Sequence, residues 1–186
     1  MHAGARKFCR FPTDLTPNPV EAYSVPAAHL MEQDRRLSTD CYETLRNAFV
    51  AASPHAHWRE TYKDTKIGDD FMTRFGCYCL IGPNGAFASD GMQAYIVYMP
   101  AGLWYTWHHH PPEELYLVLA GDAEFLRAGE TPETLRPGDT SFHTSNQPHA
   151  TRTLNHPMMA CVFWRNEFDT PPVLTPPELL NERETQ

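Results

Sequence analysis

The sequence lacks the features that direct a protein to nucleic acid or to a membrane. Its 186 residues carry a formal net charge of −8 without any cluster of basic residues, which excludes the positive surface that nucleic-acid binding needs. No apolar run approaches the roughly 20 residues of a membrane span, and the N-terminus lacks the basic and then apolar layout of a secretion signal. We therefore expect a cytoplasmic protein whose partners are small molecules or other proteins.

Cysteine is sparse and irregularly spaced. The five cysteines are an odd number and do not show the paired spacing of a zinc knuckle, which favours a reducing compartment over a disulfide framework. Cys77 and Cys79 are two positions apart in an apolar run. We interpret both as small hydrophobic residues of a β-strand.

The length predicts one structural domain, and the residue patterns divide it into three parts. Residues 1–71 are expected to form an arm and a helical extension, because the apolar residues between Pro19 and Ala52 recur every three or four positions. Residues 72–168 contain short aromatic and β-branched runs separated by turn residues, which indicates antiparallel strands. Residues 169–186 are a proline-rich tail that would pack at one end of the β-structure or against a second subunit of a homodimer.

The predicted elements have definite bounds. Ser38-Thr39-Asp40 predicts a cap for a helix that begins at Cys41, and Ser53-Pro54 predicts the end of that helix. Many short strands at hairpin spacing favour a mainly β protein, as a sandwich or barrel. The expected strands are Phe75–Ile81, Gln93–Met99, Leu103–His110, Glu114–Ala120, Ala123–Leu126, Thr134-Leu135, Thr140–His143, His149–Thr153 and Met158–Trp164.

The stretch Gly102–Gly121 carries the residues best suited to chemistry. Side chains alternate faces along a strand, so His108 and His110 project to the same side. Pro111-Pro112 cannot continue a central strand, so the chain should turn there and return Glu114 opposite the two histidines. Burial of apolar surface alone would not select a carboxylate facing two imidazoles. The stretch therefore predicts half of a metal site.

The spacing of these residues resembles the first motif of the cupin family. The matching residues are Gly102, His108, His110, Glu114 and Gly121. A second cupin motif follows, in which Gly138, Asp139 and His149 are in place while Thr144, Asn146 and Thr153 replace the usual proline, glycine and asparagine. The resemblance implies a cupin double-stranded β-helix, which is an antiparallel β-barrel, and a third imidazole from His149. His143 is the main alternative for that imidazole.

Three imidazoles and one carboxylate suit a divalent first-row transition metal such as iron, manganese, nickel, cobalt or zinc. The resemblance implies that one such metal is held by His108, His110, Glu114 and His149, with coordination positions left for a substrate. The alternative is a surface histidine tract at 108–110. That alternative leaves the two glycines, the offset of Glu114 and the second motif without explanation.

Tyr116 makes the prediction more specific. It lies two positions after Glu114 and so shares its strand face, which places a phenol beside the expected metal. A neighbouring cation stabilises the phenolate, which would allow Tyr116 to act as a general base. The alternative is a core tyrosine whose hydroxyl group is hydrogen-bonded.

The pair Glu114 and Tyr116, together with the preceding Trp104-Tyr105-Thr106-Trp107, resembles the dimethylsulfoniopropionate (DMSP) lyase cupins over about residues 72–165. The resemblance implies a carbon–sulfur lyase that cleaves DMSP, a small zwitterionic carboxylate, to dimethyl sulfide and acrylate by β-elimination. It also implies that a tyrosine, Tyr116 or Tyr105, is the base and that Trp164 lines the pocket.

Aromatic faces are the expected partners of the sulfonium group of such a substrate. The candidates are Trp164, Trp104 and Tyr105. Strand alternation places Trp104 on the face of His108 and Tyr105 on the opposite face, so Tyr116 ranks first as the base.

Two other functions use the same sequence features. A cupin dioxygenase or isomerase would employ the same four ligands with a redox metal or a polar pocket. A non-catalytic cupin that binds a small ligand has usually lost metal ligands, and the retention of all four counts against it.

Overall fold

A computed structural model of the chain describes residues 4–168 and 170–180. The first three residues of the predicted arm, and Asp169 and residues 181–186 of the predicted tail, lie outside the described residues. The described part contains three α-helices, α1 (Pro26–Gln33), α2 (Glu43–Ala52) and α3 (Asp69–Arg74). Its strands are β1 (Thr16–Pro17), β2 (Gly76–Ile81), β3 (Phe87–Ala88), β4 (Gln93–Met99), β5 (Trp104–His109), β6 (Glu113–Gly121), β7 (Ala123–Arg127), β8 (Glu133–Leu135), β9 (Thr140–His143), β10 (His149–Arg152), β11 (Met158–Arg165) and β12 (Val173–Leu174).

The strands form two sheets, which confirms the predicted mainly β fold. One sheet has seven strands in the order β1-β3-β2-β4-β11-β6-β9, and the other has five in the order β12-β5-β10-β7-β8. All pairs are antiparallel except the short contact between β2 and β3. The described strands make two separate sheets, and the expected barrel is therefore a sandwich of the cupin type.

Each of the nine predicted strands is present within one residue of its expected ends. Among the strands of the described residues, three of two residues each were missed: β1, β3 and β12. Such short strands carry no periodic pattern, because pairing with a neighbour alone defines them. One of them comes from the proline-rich tail, where Val173 and Leu174 pair with His109 and His108 of β5.

The main core lies between the two sheets. Val97 and Val162 from the seven-stranded sheet pack in one cluster with Tyr105 and Phe125 from the five-stranded sheet. Burial of each such side chain contributes about 1.5–3 kcal/mol. Burial of this core therefore provides the principal free energy that holds the two sheets together. It also fixes the positions of the residues on their inner faces.

The outer face of the seven-stranded sheet is covered by the helical extension. Met31 of α1 packs with Trp58 and with Tyr78 of β2 in a second buried cluster. The expected cap at residues 38–40 is wrong, because α2 begins at Glu43; Thr39 instead accepts a hydrogen bond from the backbone of Tyr42 through its hydroxyl oxygen.

The arm also packs. Ala5 and Phe8, in a short 3-10 helix at Gly4–Cys9, are buried in a third cluster with Phe142 of β9. The sequence predicted only an arm there, because one apolar pair has too little periodicity to predict a helix.

The cysteines behave as expected. Cys77 and Cys79 form no disulfide and are buried in the core between the sheets. Burial raises the pKa of the Cys77 thiol to about 11 and that of Cys79 to about 12. Among the residues that the structure describes, no helix is long and apolar enough to cross a membrane.

Two turns of the predicted motifs require backbone that few residues adopt. Gly121 has a φ of +70°, and a Cβ there would lie 1.7 Å from the carbonyl oxygen of Pro157. Asn146, which replaces the glycine of the second motif, has a φ of +58°. Asparagine tolerates this left-handed conformation, so the replacement preserves the turn that leads to His149.

Candidate metal and active site

The two sheets bring the predicted ligands together at one place. His110 directly follows β5 of the five-stranded sheet, and His149 begins β10 of the same sheet. Glu114 lies in β6 of the seven-stranded sheet. All three residues are buried, with 1–2% of their surface exposed. The site therefore lies between the inner faces of the sheets, where the turn at Pro111-Pro112 joins them.

These three residues form a cluster that can hold a metal ion. One ligand atom from each of His110, Glu114 and His149 lies within 4.8 Å of the other two. His110 Nε2 is 3.5 Å from Glu114 Oε1, and His149 Nε2 is 3.2 Å from Glu114 Oε2. Both Nε2 atoms are buried without a hydrogen-bond partner. Buried polar atoms rarely lack a partner. A bound cation would supply a partner for the lone pair of each nitrogen.

The other ring nitrogen of each histidine is bound to the backbone. His110 Nδ1 lies 3.0 Å from the carbonyl oxygen of Pro112, and His149 Nδ1 lies 2.8 Å from that of Gln147. A carbonyl oxygen only accepts, so Nδ1 carries the hydrogen and Nε2 carries the free lone pair. This is the tautomer that a metal-ligating histidine requires.

His108 lies beside this cluster and not within it. Its Nδ1 donates to the carbonyl oxygen of Thr106 at 2.8 Å. Its ring stacks on Tyr105 with centroids 3.8 Å apart, and its centroid is 4.1 Å from that of His149. Burial holds the pKa of His108 well below its usual value. The structure thus brings three of the four predicted ligands together, and the role of His108 stays a prediction.

His143, the alternative imidazole, lies behind Glu114. Its Nδ1 is 2.6 Å from Glu114 Oε2, and its Nε2 is 2.9 Å from Ser141 Oγ. Both ring nitrogens are therefore engaged, whereas His149 keeps Nε2 free. Burial lowers the pKa of His143 to about 3. Burial by itself would raise the pKa of Glu114, but the imidazoles of His110, His143 and His149 hold that pKa well below its usual value.

The expected alternation along β5 is wrong because the strand contains a β-bulge. His149 pairs with His108 and Thr151 pairs with Tyr105, so β5 has two residues between its paired positions where β10 has one. The extra residue turns Tyr105 and His108 to the same side, which is why their rings stack. Trp104 is 42% exposed and lies outside the buried cluster, so its predicted place on the histidine face is also wrong.

A second tyrosine, missed in the sequence, holds Tyr105. The hydroxyl groups of Tyr62 and Tyr105 are 2.7 Å apart, and both side chains are buried. Tyr62 lies in the loop after α2, where no motif or periodicity marks it. Burial raises the pKa of both phenols.

Tyr116 lies on the side of β6 where the alternation placed it. Its ring centroid is 5.6 Å from that of His143, and the side chain is 3% exposed. Its hydroxyl group has no hydrogen-bond partner in the described part of the chain. Burial raises the pKa of Tyr116 well above its usual value, and Glu114 raises it further. Without a nearby cation, Tyr116 is therefore a neutral phenol.

Trp164 contacts the cluster directly. Its indole Nε1–H donates to Glu114 Oε1 at 2.7 Å, and its ring centroid is 4.6 Å from that of His110. The ring also meets Tyr95 edge-on, with centroids 5.3 Å apart. Trp164 therefore lies in the wall of the inner cavity and donates a hydrogen bond to the candidate carboxylate ligand, and its role in substrate binding stays a prediction.

Two cavities lie near the cluster, and the inner one has Glu114 of the cluster in its wall. An inner cavity of about 30 Å³ is lined by Glu114, Tyr105 and Tyr116, and an outer cavity of about 690 Å³ opens towards solvent. The residues common to both walls are Arg59, Thr61, Tyr95 and Trp164. The outer cavity has the size of a small-molecule site, so these shared residues mark the passage to the cluster.

Arg59 is a further site residue that the sequence did not reveal. Its guanidinium carbon lies 4.7 Å from the centroid of the Tyr95 ring. Arg59 takes part in none of the ion pairs found among the residues that the structure describes. A half-buried cation without a carboxylate partner is costly. This cation is suited to an anionic ligand in the cavity.

Comparison with known proteins gives four concordant similarities. Residues 5–160 match the dimethylsulfoniopropionate lyase family. The dimethylsulfoniopropionate lyase DddQ of Ruegeria pomeroyi is 55% identical over 171 residues, which are 92% of this chain and 85% of that protein. A crystal structure of DddQ from Ruegeria pomeroyi DSS-3 matches with a TM-score of 0.90 at 53% identity, covering 95% of this chain and 90% of the other. A chain from the crystal structures of the DMSP lyases RdDddP and RnDddQII matches with a TM-score of 0.86 at 37% identity, covering 92% and 88%.

Proposed function

This chain belongs to the dimethylsulfoniopropionate lyase family and is a carbon–sulfur lyase, and we propose that it cleaves DMSP to dimethyl sulfide and acrylate with the help of one divalent metal. The observation that carries the proposal is the convergence of His110, Glu114 and His149 beneath a cavity lined by tyrosines. The cytoplasmic location and the homodimer stay predictions.

The residues present fit a metal. His110 and His149 each direct an unpartnered, buried Nε2 towards the two oxygens of Glu114, and neutral imidazoles with a carboxylate suit iron, manganese, nickel, cobalt or zinc. These three residues would hold it, with His108 as the fourth candidate. When bound, the metal supplies positive charge that polarises a substrate carboxylate and favours the phenolate form of a neighbouring tyrosine.

The cavity walls supply binding groups for both ends of the substrate. Arg59 would donate hydrogen bonds to the substrate carboxylate, since guanidinium and carboxylate groups match in geometry and charge. A carboxylate has two oxygens, so Arg59 can take one while the other faces the cluster. The rings of Trp164 and Tyr105 offer aromatic faces to the sulfonium group. This aromatic lining favours elimination over the dioxygenase and isomerase alternatives.

Tyr116 is the proposed base. Its hydroxyl group has no partner in the described residues and its side chain lines the inner cavity, whereas the hydroxyl group of Tyr105 is held by Tyr62. Tyr116 as phenolate would take the proton from the carbon next to the carboxylate. The electron pair of that C–H bond forms the carbon–carbon double bond, and dimethyl sulfide leaves with the electrons of the C–S bond.

The test is release of dimethyl sulfide into the headspace by purified protein, measured after metal removal and after addition of each candidate metal. We expect release that depends on added metal, together with an equal amount of acrylate. Metal-loaded protein that releases neither product would overturn the proposed function.

A further inference from the structure

A chain of hydrogen bonds leads from Glu114 towards the protein surface. Glu114 Oε2 is 2.6 Å from His143 Nδ1, and His143 Nε2 is 2.9 Å from Ser141 Oγ. Ser141 Oγ is in turn 2.8 Å from Arg127 Nη1. The first three of these residues are at most 2% exposed. The Arg127 side chain, at 13% exposed, is where the chain reaches solvent.

The direction of every hydrogen bond in this chain follows from its outer end. A guanidinium group has only donors, so Ser141 Oγ accepts from Arg127. A hydroxyl group has one hydrogen, and His143 Nε2 is the remaining partner of Ser141 Oγ among the described residues. Ser141 therefore donates to Nε2. The imidazole hydrogen is then left at Nδ1, where His143 donates it to Glu114.

The outer end is held by two carboxylates. Arg127 Nε donates to Glu130 Oε2, and Arg127 Nη2 donates to Glu133 Oε2, both at 2.8 Å. Contacts to both of these nitrogens fix the plane of the guanidinium group. Nη1 is thereby directed at Ser141.

The ion pair between Arg127 and Glu130 also leads, through further hydrogen bonds, to a second candidate ligand. Glu130 Oε1 accepts a hydrogen bond of 3.1 Å from Gln147 Nε2. The backbone carbonyl oxygen of Gln147 accepts the hydrogen of His149 Nδ1 at 2.8 Å. Two branches that begin at Arg127 therefore end on Glu114 and on His149.

From this connectivity we propose that Arg127 is a positioning residue, which orients Glu114 through Ser141 and His143, and His149 through Glu130 and Gln147. The inference rests on the metal-dependent function proposed above. The backbone of Arg127 lies opposite that of His149 in the pairing of β7 with β10, but its guanidinium group binds Glu130, Glu133 and Ser141 and none of the three candidate ligands. Arg127 belongs to neither sequence motif. Groups that orient metal ligands from behind typically change metal affinity about 10–100-fold when removed.

The first test measures Zn²⁺ affinity of the full-length protein by competition with a chromophoric chelator. Arg127→Met keeps the length of the side chain and removes its donors. Ser141→Ala breaks only the branch that runs through Ser141 and His143 to Glu114. We expect about 10–100-fold weaker binding for Arg127→Met and a smaller loss for Ser141→Ala. Arg152→Met is the matched control, because Arg152 pairs with Glu124 at an exposed position, away from both branches. It should leave the affinity unchanged.

A rescue variant separates positioning from general damage to the fold. In His143→Asn the side-chain amide nitrogen can take the place of Nδ1 and still donate to Glu114, whereas His143→Ala cannot. Asparagine should therefore restore much of the affinity that alanine loses. Equal affinities for Arg127→Met, Ser141→Ala and the wild type would overturn the proposal.

The second test needs no variant. Ring nitrogens of ¹⁵N-labelled histidine, observed by NMR in the Zn²⁺-loaded protein and in the metal-free protein, report which nitrogen carries the hydrogen. We expect His143 to carry it on Nδ1, and a hydrogen on Nε2 alone would contradict the inferred direction of the chain. Failure of the proposed function can be distinguished from failure of this inference. In the first case the wild-type protein would bind no metal or release no dimethyl sulfide, and the NMR measurement on metal-free protein would still locate the His143 hydrogen.

Discussion

The indole nitrogen of Trp164 donates a hydrogen bond of 2.7 Å to Oε1 of Glu114. The two residues are directly opposite each other on the neighbouring strands β11 and β6. A hydrogen bond to a charged, buried acceptor is among the stronger ones in proteins. Trp164 therefore joins the wall of the proposed substrate cavity to a candidate metal ligand.

The two roles of Trp164 can be separated by substitution. Trp164→Phe keeps an aromatic face but removes the N–H donor, so we expect metal affinity about 10-fold weaker with little change in KM at saturating metal. Trp164→Ala removes the ring as well, and KM for DMSP should then rise by a further factor of about 2–30. Metal titration and steady-state kinetics on both variants provide the measurement. An unchanged KM in Trp164→Ala would leave the residue with no role in binding the sulfonium.

Removal of a candidate ligand should abolish metal binding without unfolding the protein. We expect His110→Ala and Glu114→Ala to contain less than about one-tenth of the wild-type metal by elemental analysis, because each removes one of few donors. His156→Ala is the control, since His156 is exposed. Circular dichroism should report the same β-structure in all variants. Full metal content in both site variants would refute the assignment.

Tyr116→Phe should slow the reaction while leaving the metal in place. The substitution removes the proton acceptor and keeps the ring, and general-base catalysis is worth about 10²–10⁴-fold in kcat. Tyr105→Phe should cost less, because the Tyr105 hydroxyl group is already bound to Tyr62. A Tyr116→Phe enzyme with near wild-type kcat, beside an inactive Tyr105→Phe enzyme, would transfer the role of base to Tyr105.

Arg59 should govern affinity for the carboxylate end of the substrate. We expect Arg59→Gln to raise KM at least about 30-fold, since truncation of one partner of a buried charge pair costs about 2 kcal/mol or more. Inhibition by acrylate, which has the carboxylate but no sulfonium, should weaken by a similar factor. Arg59→Lys should recover part of the loss. Arg36→Gln removes an equal charge from an exposed position and should change neither constant.

Local patterns in the sequence determined most of the fold and half of the site. Aromatic and β-branched runs between turn residues located β4 and β9 at their observed bounds, because both signals lie in neighbouring residues of the sequence. The approach of His110 to Glu114 was predictable for the same reason, since a two-proline turn joins them within five positions. The spacing of the motifs also supported the family, which the comparisons confirmed.

Pairing between distant strands decided the rest. The bulge that turns Tyr105 towards His108 arises only where β5 meets β10, more than 40 positions later. The register between β9 and β6 places His143 opposite Glu114. The register between β11 and β6 places Trp164 opposite the same residue. Arg59 reaches the cavity, and Tyr62 reaches the Tyr105 hydroxyl group, from a loop without periodicity. Register and loop placement depend on contacts between residues far apart in the chain, so these neighbours of Glu114 became visible only in the tertiary structure.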